Sequence, residues 1–105
     1  MKSNILSLLG LAMKAGKCVS GEFTVEKTVK DRKAKLVVIA VDASAASKKN
    51  YKDMCTFYHV PLIEEGTKED LGHCIGKEFR AAVAVCDTGF AEGIMKKATQ
   101  REEHR

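Results

Sequence analysis

The stretch Lys35-Leu36-Val37-Val38-Ile39-Ala40-Val41 decides the fold. A strand with one face in water alternates apolar and polar residues, whereas this run is apolar without a break and rich in β-branched side chains. At this length it reads as a strand covered on both faces, which requires a layer of structure above the sheet and another below it. The flanking sequence supplies those layers. Upstream, Ile5, Leu8, Leu9, Ala12 and Met13 recur at helical spacing, with Ser3 placed to cap the start and Gly16 suited to a left-handed stop. A short extended piece at 17–20 precedes a second helix, which starts at Gly21 or Glu22, runs to Arg32 and buries Val25 and Val29.

Downstream, Asp42-Ala43-Ser44 closes the strand and opens a third helix carrying Tyr51, Met54, Cys55 and Tyr58. Residues 60–63 form a third strand, whose Pro61 suits an edge or a strand start. Thr67-Lys68-Glu69-Asp70 has the form of a capping box, with Asp in place of the usual Glu, for a short helix ending near Gly76. A fourth strand at 81–86 and a last helix at 89–99 follow, and 100–105 read as a short polar tail. The class is α/β: a three-layer α/β/α sandwich around a small four-stranded mixed sheet, in one domain spanning residues 1–99.

Composition limits the function classes. The chain has 105 residues, 45% apolar and 30% charged, with a formal net charge of +4. That profile suits one folded core rather than a disordered chain. The longest uncharged apolar run, residues 36–41, is too short to cross a bilayer, so no membrane association is expected. Lys14 and Lys17 follow the first helix with no cleavage region, which argues against a signal peptide and for a cytoplasmic protein. The four cysteines, at 18, 55, 74 and 86, are irregularly spaced and read as reduced thiols.

Catalytic and metal chemistry find little support. Cys55 and His59 stand at i,i+4, but no second Cys/His pair joins them, and zinc needs three or four ligands. His73 and Cys74 are neighbours and point about 100° apart on a helix, so His73 is badly placed to activate the thiol. No glycine-rich dinucleotide loop, phosphate loop or nucleophile elbow is present. The expectation is a non-enzyme with no catalytic residue, no metal and no cofactor. The basic residues are more informative. Lys14, Lys17, Lys27, Lys48, Lys49, Lys77 and Arg80 fall mostly in or beside strand–helix loops, which can converge at one end of an α/β sheet. Glutamates at 22, 26, 64, 65, 69 and 78 offset them, so any attractive field is local.

The order of short motifs carries a resemblance. Ser20-Gly21-Glu22, Ala34-Lys35-Leu36-Val37-Val38-Ile39-Ala40, Asp42-Ala43-Ser44, Val60-Pro61, Ile75-Gly76-Lys77-Glu78 and Asp87-Thr88-Gly89-Phe90-Ala91 occur in succession. Together they resemble the kink-turn RNA-binding ribosomal-protein family, the L-seven-Ae superfamily, and in particular its small bacterial YlxQ-type branch. The resemblance covers roughly residues 4–98. It implies binding of a sharply bent RNA whose bulge lies beside tandem sheared G·A pairs. In that family the start of the second helix enters the groove at the bend with a Gly-x-Asn-Glu-x-x-Lys motif, and the loop before the last strand covers the bulge.

Carried over by position, Gly21 matches the motif glycine and Lys27 its lysine. Glycine allows close backbone approach, and a lysine one turn on can donate to guanine O6 and N7. Glu22 lies between Gly21 and the two departures, Phe23 in place of asparagine and Thr24 in place of glutamate. Phe23 can stack on an unstacked base or pack in the core, and the sequence leaves both open. Thr24 keeps a hydroxyl but loses the carboxylate that accepts from a guanine amino group. In the bulge-covering position, Lys77 and Arg80 flank Phe79, which either stacks on an extruded base or closes the core under a turn. Ser44 caps the third helix and, with Lys48 one turn on, lies near the same mouth. The implied partner is structured RNA rather than DNA, a kink-turn in ribosomal or regulatory RNA, bound by a monomer in contact with the ribosome. A ribosome-associated protein adaptor on the same surface, anchored by Phe23 and Phe79, is the alternative.

Overall fold

A computed structural model describes residues 4–103. Its order is α1 (Asn4–Lys14), β1 (Cys18–Ser20), α2 (Glu22–Lys30), β2 (Leu36–Ile39), α3 (Ala45–Tyr58), β3 (Leu62–Glu64), α4 (Lys68–Cys74), β4 (Ala82–Val85) and α5 (Thr88–Glu103). The sheet runs β1-β4-β2-β3, with β4 antiparallel to both of its neighbours and β2 parallel to β3. The mixed four-stranded sandwich is therefore the architecture found.

All four residues of β2 and all four of β4 are buried, and the pleat sorts them by parity. Leu36, Val38, Val83 and Val85 join Ile5, Leu9, Leu71 and Ile94, from α1, α4 and α5. Val37, Ile39, Ala82 and Ala84 join Val25, Val29, Tyr51, Met54 and Cys55, from α2 and α3. Two cores share one sheet, which is why the run at 36–39 contains no polar residue.

The strand is shorter than the seven-residue stretch suggested. Lys35 and Val41 are both exposed, because the chain leaves the sheet at each end to reach a helix. The third strand starts at Leu62 rather than at residue 60; Pro61 lies just before it on the sheet edge, and its carbonyl accepts from the Val37 N–H at 3.0 Å. α2 stops at Lys30, two residues early, because Arg32 takes a left-handed φ of 61°. α5 continues to Glu103, through four of the six residues read as a tail, since Gln, Arg and Glu favour helix and no breaker intervenes. The Ser3 cap lies outside the described residues. Gly16 has the expected positive φ, 72°, and the Thr67–Asp70 capping box is complete. The Thr67 N–H and hydroxyl hold the Asp70 carboxyl below its usual range.

Gly72 is fixed by contact. A Cβ there would stand 2.3 Å from the Glu78 carbonyl oxygen and 2.8 Å from the Phe79 nitrogen, so α4 lies directly against the backbone of the loop before β4. Gly93, within α5, faces open space. The two glycines should respond oppositely to alanine. Gly72→Ala should cost about 1–3 kcal/mol through forced backbone displacement, outweighing its helix-propensity gain, whereas Gly93→Ala should stabilise by up to about 1 kcal/mol. Thermal unfolding of the two variants checks both signs. The cysteines are free thiols, with Cys18 and Cys55 buried. Burial, aided by Cys86 and Cys74, pushes the Cys18 thiol up to about 12, and burial pushes Cys55 up to about 11. Alkylation of both at pH 8 should therefore follow global unfolding, because the thiolate is the reactive form; mass spectrometry across a denaturant series reads this.

Candidate nucleic-acid interface

The topology gathers most of the sequence-derived residues at one end. β1 and β2 finish there, β3 finishes beside them, and β4 starts there, as the pairs Ser20 with Val83, Ile39 with Ala82 and Ile39 with Glu64 require. Gly21, Ser44 and Arg80 each lie within a few residues of those strand ends. Lys14 and Lys17 do not join them: α1 points its C-terminus the other way, and the Lys17 carbonyl accepts from the Cys86 N–H beyond the far end of β4.

The start of α2 is the centre of this end. Its N-cap is Gly21, at φ 93°, with no side-chain cap. By contrast, Ser44 caps α3 by accepting from the Ser47 N–H at 3.1 Å, and Thr67 caps α4 by accepting from Asp70 N–H. The first N–H groups of α2 are thus left free of a capping side chain, with the positive end of the helix dipole behind them. A side chain at Gly21 would meet no protein atom within 4 Å, so it is the positive φ that calls for glycine and the approach from outside is open.

Val25 and Val29 face the core, which turns Phe23, Thr24 and Lys27 outward. Phe23 is 80% exposed, so its core-packing alternative falls away. It lines a shallow pocket of about 290 Å³ with Glu26, Lys27, Lys30 and Asp31. Lys27 bonds Asp31 at 2.9 Å in an exposed i,i+4 pair, a weak tie that it can exchange. Thr24 gives its carbonyl to the Thr28 hydroxyl at 2.7 Å. Glu22 is drawn toward α3, 3.4 Å from the Ser47 hydroxyl.

The loop before β4 forms the opposite lip. Phe79 is 60% exposed and does not close the core. Lys77 is exposed, one turn lower against α4, where its N–H donates to the Gly72 carbonyl at 2.8 Å. Arg80 is half-buried. Its Nε donates to Ser20 Oγ at 3.1 Å and its Nη1 to the Phe79 carbonyl at 2.7 Å, so it braces the loop against the residue before Gly21. Lys48 is also a brace: its Nζ donates to the Val41 carbonyl at 2.6 Å and pairs with Glu64 at 3.1 Å.

Three neighbours quoted above in short motifs have roles at the mouth that those motifs do not show. Ser20 receives Arg80, and Asp42 accepts from the Lys68 N–H at 2.8 Å, locking the β2–α3 turn to the start of α4. Val41, taken as the buried end of a strand, is 47% exposed at the mouth. No local motif announces these roles, because each depends on a partner distant in sequence. Cys55 and His59 do not converge either: Cys55 is buried, while His59 is the left-handed C-cap of α3. Cys86, inside the expected strand at 81–86, lies half-buried one residue beyond β4. Among the described residues no group of three or more His, Cys, Asp or Glu side chains stands ready for a metal. No helix among them is long and apolar enough to cross a membrane.

What the arrangement offers is an uncapped helix start between two exposed aromatic rings, with braced cations and nearby acids in near balance. Comparison with known proteins agrees with the motif order. The Ribosomal protein L7Ae/L30e/S12e/Gadd45 family matches residues 3–94. RNA-binding protein YlxQ of Bacillus subtilis (strain 168) is 46% identical over 88 residues, covering 84% of this chain and 88% of that one. A solved structure of a protein of unknown function from Bacillus halodurans C superposes with a TM-score of 0.87 at 35% identity, covering 91% of this chain and 97% of the other. The Giardia lamblia 15.5kD RNA binding protein shares the fold, with a TM-score of 0.79 at 19% identity over 98% of this chain and 92% of that one. With nearly its whole length matched, the chain belongs to the Ribosomal protein L7Ae/L30e/S12e/Gadd45 family, in its bacterial YlxQ branch.

Proposed function

We propose that the protein is a non-enzymatic RNA-binding module that selects a kink-turn, in ribosomal or regulatory RNA, through the mouth centred on Gly21. The observation that carries this reading is the open start of α2 at a positive-φ glycine, flanked by the exposed rings of Phe23 and Phe79. Backbone N–H groups there suit phosphate, the rings suit unstacked bases, and Lys27 suits a guanine edge. Arg80 and Lys48 hold the mouth in shape and add positive charge to it. Because acids balance the cations, affinity comes from fitting a bent backbone. The protein binds the bent conformer in preference and so shifts the RNA toward it. Phe23 and Thr24 replace side chains that read G·A edges with one that stacks and one small hydroxyl, which moves recognition from base edges toward shape.

Titration calorimetry against a kink-turn RNA, and against a control with both G·A pairs made Watson–Crick, tests the reading. Selective binding to the bent RNA is expected, with a salt dependence reflecting about three to five phosphate contacts. Equal, salt-sensitive binding to both would reduce the activity to general RNA affinity. Binding to neither would favour the protein-adaptor reading, for which the exposed Phe23 and Phe79 are the anchors. Lys27→Ala should cost about 1–3 kcal/mol of kink-turn affinity without altering the melting temperature. Lys48→Ala should weaken all RNAs alike and also lower thermal stability, since Lys48 ties Val41 and Glu64 together.

A further inference from the structure

The end of the sandwich opposite the mouth carries more cations than carboxylates. Lys14 ends α1 and Lys17 follows it, Lys30 ends α2, and Arg32, Lys33 and Lys35 fill the turn into β2. The acids at that end are Asp31 and Asp87, with Glu26 one turn back in α2 paired to Lys30 at 2.9 Å and Glu92 lining the groove beside Lys35, so these six cations still outnumber the four carboxylates. Three helix C-termini and one N-terminus also meet there, and their partial charges offset only about one unit. Asp31 is already held by Lys27, and Asp87 accepts from the Phe90 N–H at 2.9 Å. Among the described residues, Arg32, Lys33 and Lys35 are in no ion pair, whereas Lys27, Lys30, Lys48 and Lys49 are each tied to a carboxylate.

Aromatic surface is interleaved with this charge. Phe57 is 72% exposed in the last turn of α3 and meets Tyr58 edge-on at 4.9 Å between ring centres. The Arg32 guanidinium lies 5.4 Å from the centre of the Tyr58 ring. Arg32 holds this place in a left-handed conformation, where glycine is the ordinary occupant of the residue after a helix. Beside this cluster, Lys35 and Pro61 border a groove of about 510 Å³ whose other wall is Ala91, Glu92, Met95 and Lys96 of α5, where Lys96 offsets the one carboxylate. The segment 57–61 joins cluster and groove, so cations, rings and a concave apolar strip form one surface.

We propose that this end is a second RNA-binding surface, which takes a single strand by stacking a base on Phe57 while Arg32, Lys33 and Lys35 hold the phosphates. Unneutralised cations supply attraction to the backbone, and an exposed ring adds stacking that any base satisfies. No bend is required, so the surface works independently of the mouth. Occupied together, the two ends would hold two RNA segments on opposite poles of one small domain.

The test uses a fluorescein-labelled oligouridylate about twelve nucleotides long, which carries no kink-turn. In anisotropy titrations at about 50 mM salt, the whole chain should bind it and release it as salt rises. Phe57→Ala should weaken that binding at least about fivefold, the lower bound for one lost base stack. The double variant Lys33→Glu/Lys35→Glu should weaken it further and flatten its salt dependence. Both changes lie in exposed positions, and both should leave selection between the kink-turn RNA and its Watson–Crick control unchanged. The proposal is overturned if the oligonucleotide does not bind, or if Phe57→Ala binds it as the parent does. It is overturned equally if Lys27→Ala abolishes the binding, or if poly-glutamate displaces the strand as well as RNA does. Loss of kink-turn selection in the parent protein would sink the mouth reading alone.

Discussion

Between β2 and β4, Leu36, Val37, Val38 and Ile39 lie against Val85, Ala84, Val83 and Ala82, eight apolar side chains with essentially no access to water. Such a pair cannot leave either face of its sheet uncovered. That constraint demands α1, α4 and α5 on one side and α2 and α3 on the other. It also removes both faces from function. With the faces covered, polar chemistry is confined to the ends, where strands turn into helices and backbone groups lack sheet partners. The mouth at Gly21 and the basic surface at Phe57 are the two ends of one apolar slab.

The fold was legible because it rests on patterns that are local or periodic. The unbroken run at 36–41, the helical spacing of Ile5, Leu9 and Ala12, and the capping signals at Ser44 and Thr67 each stand within a few residues of one another. Errors fell at the edges of elements. Val41 belongs to the run by composition but to the turn by geometry, and Arg32 ends α2 by a backbone conformation that its side chain does not advertise. α5 ran past its expected end because polar residues of high helix propensity resemble a loose tail when counted only for hydrophobicity.

In the candidate site, the position of each residue was legible more than its contacts. Gly21 and Phe79 stand where the motif order put them, and exposure decides what sequence left open for Phe23 and Phe79. Arg80 and Lys48 came from the same loops, yet their side chains are committed to Ser20, Phe79, Val41 and Glu64. Whether a cation is free or already paired depends on residues elsewhere in the chain, and linear order does not encode that. The same reason hid the far end: Phe57 in a sequence is an ordinary helical aromatic, and only the tertiary fold sets it beside Tyr58 and Arg32.

The place of β1 has a consequence for how the protein comes into being. Its sheet partner is β4, with Cys18 opposite Val85, so the first strand to be synthesised pairs only with the last. Contacts this distant in sequence form late, because the intervening chain must first give up its freedom. The brace from Arg80 to Ser20 spans the same interval, so the two lips of the mouth meet only when the chain is nearly complete. A nascent or C-terminally shortened chain would carry Gly21 and Lys27 yet have no formed mouth. Formation of the mouth is thus coupled to the pairing of β1 with β4, and no earlier folding step brings its two lips together.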